Sequence, residues 1–144
     1  MFLARAIWTV TLLLLLVGCR PDAMRFDTQQ GQPLEHRYFY GHWRLDQKRT
    51  NQMGEASGLK ELPASLRRNL LGDGWRFDRN QVLVVRQALG SQIGSWRLEQ
   101  PDTLVIRPPH SATEHRFSAQ FRAGYLHLRN SETGRSLVFA PQRR

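Results

Sequence analysis

Gly94-Ser95-Trp96-Arg97-Leu98-Glu99-Gln100-Pro101-Asp102-Thr103-Leu104-Val105-Ile106-Arg107 reads as two strands joined by a turn. Trp96 and Leu98 fall on one face and Arg97 on the other, the period of two that marks a half-buried strand. Gln100-Pro101-Asp102 carries turn chemistry, and Thr103 to Arg107 is rich in β-branched residues. Pro108-Pro109 then ends the second strand, because proline has no N–H to give to a ladder.

The same rhythm extends in both directions. Downstream, Phe117, Ala119 and Phe121 alternate with polar residues, and Ala123-Gly124 turns into Tyr125-Leu126-His127-Leu128. A further turn over residues 130–134 leads to Ser136-Leu137-Val138-Phe139. Upstream, Gly90 separates the strand around Ile93 from Val82-Leu83-Val84-Val85, which follows a turn at Arg79-Asn80 and a strand holding Trp75 and Phe77. Residues 63–72 predict a short helix, with Pro63 in its first turn, Gly72 just past its end, and Leu66 and Leu70 on one face beside Leu59 and Leu62. Residues 51–58 read as loop. Residues 38–49 predict the first strand, with Phe39, Gly41, Trp43 and Leu45 pointing inward. The expected fold is all-β: an antiparallel up-and-down meander of about eight short strands closing into a small barrel, with one short helix after the first strand.

The N-terminus has a different character. Arg5 precedes an apolar run over residues 6–17 that is shorter than the roughly 20 residues a membrane span needs, so it reads as an export signal. Leu16-Val17-Gly18-Cys19 resembles the lipobox of bacterial lipoproteins. In that family the cysteine sulfur takes a diacylglyceryl group, and cleavage falls just before it. The resemblance implies a removed signal over 1–18, a lipidated flexible tether over 19–37 and a barrel domain over 38–144. An ordinary cleaved signal and a short retained anchor are the competing readings. Two or three acyl chains hold a protein stably where one holds it marginally. In Gram-negative lipoproteins an Asp after the cysteine commonly causes inner-membrane retention. Arg20 at that position therefore implies the outer membrane, facing the periplasm. Cys19 is the only cysteine, so the domain must hold without an internal disulfide.

The formal charge is +9, and every basic residue except Lys48 and Lys60 is an arginine. These charges are spread along the chain without a dense block, as on a solvated surface. Secretion argues against nucleic acid as a partner. An envelope protein or an anionic lipid at the membrane surface fits the balance.

Gly41-His42-Trp43 on the first strand resembles the Gly-x-Trp signature of lipocalins, especially short bacterial lipocalin-like domains, and Gly94-Ser95-Trp96 repeats the pattern. The resemblance implies a structural role for Gly41 and Trp43, with Trp43 packed at one end of the barrel under an arginine from the last strand. Arg135 and Arg143 are both candidates for that arginine. The second and third lipocalin motifs are not recognisable. The leucine-faced helix is closer to the lid of fatty-acid-binding proteins.

If the barrel holds a small apolar or amphipathic ligand, Trp75, Trp96 and Phe121 would line the cavity; the same rings equally suit a filled core. No cofactor is implied. His36, His42, His110, His115 and His127 lack metal-ligand spacing, and no nucleophile elbow, phosphate loop or carboxylate pair appears, so an enzyme is not expected. Two functions follow: an envelope lipoprotein whose barrel binds a hydrophobic ligand, or a lipid-tethered interaction module with a filled core.

Overall fold

A computed structural model describes residues 27–54, 59, 61–70 and 72–143. The apolar signal, the lipobox and Cys19 lie outside the described residues. Eight antiparallel strands close into an up-and-down barrel in sequence order: β1 (Gly41–Leu45), β2 (Gly74–Phe77), β3 (Val82–Gln87), β4 (Gly90–Glu99), β5 (Thr103–Arg107), β6 (His115–Arg122), β7 (Tyr125–Asn130) and β8 (Ser136–Pro141). Closure comes from β1 and β8, which pair through Trp43 with Pro141, Arg44 with Ala140 and Leu45 with Phe139. The opening stretch of sequence forms its expected hairpin, with Trp96 opposite Ile106 and Leu98 opposite Leu104.

Two glycines shape the wall. Gly41 has φ +122°, a conformation closed to most L residues, where the chain enters the barrel. A Cβ at Gly94 would collide with the Arg107 carbonyl, so the wall approaches itself there only because no side chain intervenes. The β6–β7 hairpin turns on Ala123 (φ 50°) and Gly124 (φ 80°), the positive pair of a tight two-residue turn.

Both mouths of the barrel are closed. One end carries the β2–β3, β4–β5 and β6–β7 turns. There a 3-10 turn, His36–Tyr38, delivers Phe39 into the opening, where it is fully buried. The opposite end is covered by a seven-residue helix that follows Leu62 and spans Ala64–Leu70. Leu62, Leu66 and Leu70 all enter the core. This helix is too short to persist alone. Burying each leucine contributes roughly 1.5–3 kcal/mol, which offsets its ordering.

A second helix, α1 (Gln47–Gln52), precedes this capping helix, α2. The sequence reading extended β1 through this region and then a loop, because Gln47-Lys48-Arg49-Thr50-Asn51-Gln52 has no apolar stripe. What forms α1 is local and tertiary bonding. The Asp46 carboxylate accepts from the Arg49 N–H as an N-cap, and the buried Thr50 hydroxyl accepts from the Val138 N–H at 2.9 Å. The helix thus satisfies the edge of β8 where β1 turns away.

The stretch expected as a flexible tether is partly docked, so the domain begins before Tyr38. The Thr28 N–H donates to the Phe121 carbonyl at 2.9 Å, and the Phe121 N–H donates to the Thr28 hydroxyl at 3.0 Å. Leu34 is buried in the core, its N–H donating to the Pro101 carbonyl at 2.9 Å. The polar composition of this stretch conceals backbone bonds that only the neighbouring strand ends supply.

The arginines on the outer face of β4, β5 and β6 are paired with carboxylates. Val105 points outward yet is buried, with Arg97 and Arg116 as its cross-strand neighbours. Arg97 donates to Glu114 at 2.6 Å and to Glu99 at 2.9 Å, Arg107 donates to Glu114 at 3.0 Å, and Arg116 pairs with Glu99.

Candidate functional site

Trp75, Trp96 and Phe121, the residues expected to line a cavity, all point into the core, where each packs against neighbouring rings. Trp75 stacks on Phe139 with centroids 5.0 Å apart, Trp96 meets Phe77 edge-on at 5.2 Å, and Phe121 contacts Trp43 at 5.8 Å. Phe39 completes the cluster from outside the strands, reaching Phe121 at 5.0 Å, Trp96 at 5.7 Å and Phe77 at 5.8 Å. Such edge-on and offset pairs are the favoured aromatic geometries and add to the stabilisation from burial.

The polar atoms of the three barrel indoles are also occupied. Trp43 Nε1 donates to the Phe39 carbonyl at 2.7 Å, Trp75 Nε1 to the Asn69 carbonyl at 3.2 Å, and Trp96 Nε1 to the Asp78 carbonyl at 3.0 Å. Each ring fills the core while its N–H clamps a closing element: the Phe39 plug, α2 and the β2–β3 turn. Trp43 is buried in the core and ties the Phe39 backbone to β1. Of the two arginines considered for stacking on it, Arg135 engages Glu61, its Nε donating at 3.0 Å.

No family model, curated protein or solved structure matches the chain.

A polar hollow lies outside the barrel, on β6, β7 and β8. It has a volume of about 180 Å³ and is walled by Gln30 of the docked N-terminal segment and by Met53 at the end of α1. Register arranges its floor in rows. Ser118, Arg129 and Ser136 lie side by side across the three strands, followed by Gln120, His127 and Val138, then Arg122 and Tyr125. Neighbouring strands are about 4.8 Å apart, so each row presents its side chains within one small molecule's breadth.

The electrostatics of this hollow are positive. Arg122 donates to Gln120 at 2.8 Å, and Arg49 lies over the Tyr125 ring at 3.9 Å. His127 is held below its ordinary imidazole pKa first by burial and then by Arg122 and Arg49, and its buried Nδ1 has no partner among the described residues. Among the described residues Arg129 has no acidic partner, and neither the Ser118 nor the Ser136 hydroxyl is used within the protein. Among the described residues Asp102 is the one carboxylate lining the hollow.

Two other surface hollows have different character. A broad depression of about 580 Å³ at the Phe39 end includes Arg76, which is already bound to Asp78 through two 2.8 Å contacts. A third, of about 300 Å³, lies beside exposed Leu89 at the β3–β4 turn. Among the described residues no three His, Cys, Asp or Glu side chains converge as a metal site would require.

The alternation of Ser118, Gln120 and Arg122 with Phe117, Ala119 and Phe121 already marks a polar outer face in the sequence. Nothing in the sequence aligns Arg129 with Ser118 and Ser136, because that depends on the register of three strands.

Proposed function

We propose that this protein is a lipid-anchored module of the bacterial cell envelope that works through its outer surface, with a filled barrel in place of a carrier cavity. The observation carrying this reading is the closure of the interior: rings occupy the axis, Phe39 and α2 occupy the mouths, and the three indole N–H groups are committed to backbone carbonyls. A hydrophobic ligand would have to displace one of these closures. The alternative of a ligand-binding barrel is therefore disfavoured.

The anchor reading rests on the lipobox ending at Cys19, and on Arg20 for the outer membrane. The docked segment supports it further. Asp27 accepts a hydrogen bond from the Ala123 N–H at 2.5 Å, so the chain leaves the barrel at the β6–β7 turn. The connection from Cys19 to Asp27 spans at most about 28 Å when fully extended. A lipid on Cys19 would hold this end of the barrel near the membrane.

Titrating the full chain in detergent with fatty acids and hydrophobic dyes, read by tryptophan fluorescence, tests the filled interior. We expect no saturable change, and saturable quenching would overturn it. Replacing Cys19 with Ala should release the protein from membranes at high salt. Persistence in the membrane fraction would refute the anchor.

A further inference from the structure

We infer that the hollow over β6, β7 and β8 is a binding site for a phosphate-type oxyanion, with Arg129, Ser118 and Ser136 as its principal donors. That the oxyanion is carried by the headgroup of an anionic lipid rests on the tethered reading above.

The argument begins with arrangement. Arg129 stands between Ser118 on one neighbouring strand and Ser136 on the other. A guanidinium presents a planar fork of donors suited to two oxygens of a phosphate, and a serine hydroxyl can donate to a third. None of these donors is committed within the described protein. This distinguishes the row from the face of β4, β5 and β6, where Glu99 and Glu114 already satisfy Arg97, Arg107 and Arg116.

Charge and space agree. Among the described residues Arg122 and Arg129 line the hollow against the single carboxylate of Asp102, and Arg49 adds to the positive potential felt at His127. A volume of about 180 Å³ equals roughly six waters at liquid density, enough for a tetrahedral oxyanion and part of its substituent. Met53, partly exposed on the wall, offers an apolar contact for that substituent.

Position suggests the source. Gln30 lines the hollow, and Arg122 flanks the same β6–β7 turn that receives Asp27. The oxyanion site is therefore on the side of the barrel where the chain exits toward Cys19. A headgroup phosphate in the anchoring membrane would lie within the tether's reach.

The test uses the isotopically labelled full chain in a neutral maltoside detergent, followed by two-dimensional NMR. Inorganic phosphate and dihexanoyl-phosphatidylglycerol are titrated separately. We expect saturable shifts confined to residues 118, 120, 127, 129 and 136, and at least tenfold weaker binding for R129A at unchanged melting temperature. Tighter binding of the short lipid than of phosphate supports a headgroup ligand. Equal or tighter binding of phosphate retains the site but overturns its assignment to a lipid. Absence of local shifts with both probes, or shifts that R129A leaves intact, overturns the site itself. Movement of the Trp75 and Trp96 indole signals with the lipid would instead refute the filled barrel, so the two readings fail separately.

Discussion

Replacing Phe39 with Ala is the most direct test of the closed barrel. The ring is fully buried and makes three aromatic contacts, with Phe77, Trp96 and Phe121. Truncating a buried Phe to Ala costs about 3–5 kcal/mol, and losing three ring pairs puts this site near the upper part of that range. For a domain of a little over 100 residues, 1 kcal/mol corresponds to about 4 °C, so a loss of about 4.5 kcal/mol lowers the melting temperature by about 18 °C. The same substitution opens the mouth at the β2–β3 end and leaves an apolar void of the kind that admits small hydrocarbons. Urea denaturation gives the energy, and titration with a hydrophobic dye below the transition reports the opening. F39L, which keeps an apolar side chain, should cost less, about 1.5 kcal/mol, and bind less dye. A cost under about 1 kcal/mol for F39A with no gain in dye binding would show that Phe39 does not close the barrel.

Further predictions address the clamps, the turn and the titrating groups. W43F removes the indole donor to the Phe39 carbonyl and should cost about 1–3 kcal/mol in urea denaturation, with marked non-additivity toward F39A in a double-mutant cycle. Ala123 occupies a left-handed position that costs most L residues roughly 1–2 kcal/mol, so A123N should raise stability by about 1 kcal/mol; no gain would argue against the turn geometry. Hydrogen bonds from Arg97 and then Arg107 hold the Glu114 carboxyl down at about 2, against 4.5 ordinarily. Its contribution is therefore present above pH 4.5 and lost as pH falls through 2, and E114Q should flatten the acid limb of a stability profile. Burial lowers the pKa of His115 despite Glu132 nearby, so the unfolded chain binds that proton more readily. Stability should decline as pH falls below 6.5. Because His127 shifts the same way, the H115Q/H127Q double variant should remove that slope.

Strand periodicity, turn residues and the leucine face of α2 made the barrel legible before any coordinates. Trp96 and Leu98, Leu104 and Ile106, and Phe117 and Phe121 all point inward as their alternation requires, because one residue of slippage would turn each set toward water. The docked N-terminal segment and α1 were not legible. Leu34 is a lone apolar residue in a polar run, and α1 buries only Thr50, so neither has a period to read. Both are held by bonds to β6, β8 and the β4–β5 turn, partners distant in the chain.

The sequence by itself determined the alternating strands, their order and the aromatic character of the interior, since these follow from local pattern and connection length. Only the tertiary structure decided whether those aromatics line a space or fill it. The same inward Trp75, Trp96 and Phe121 are compatible with either. The outcome depends on Phe39 entering from outside the sheet and on each indole N–H finding a carbonyl in a closing element. The row formed by Ser118, Arg129 and Ser136 has the same origin, because strand register brings together residues that have no proximity along the chain.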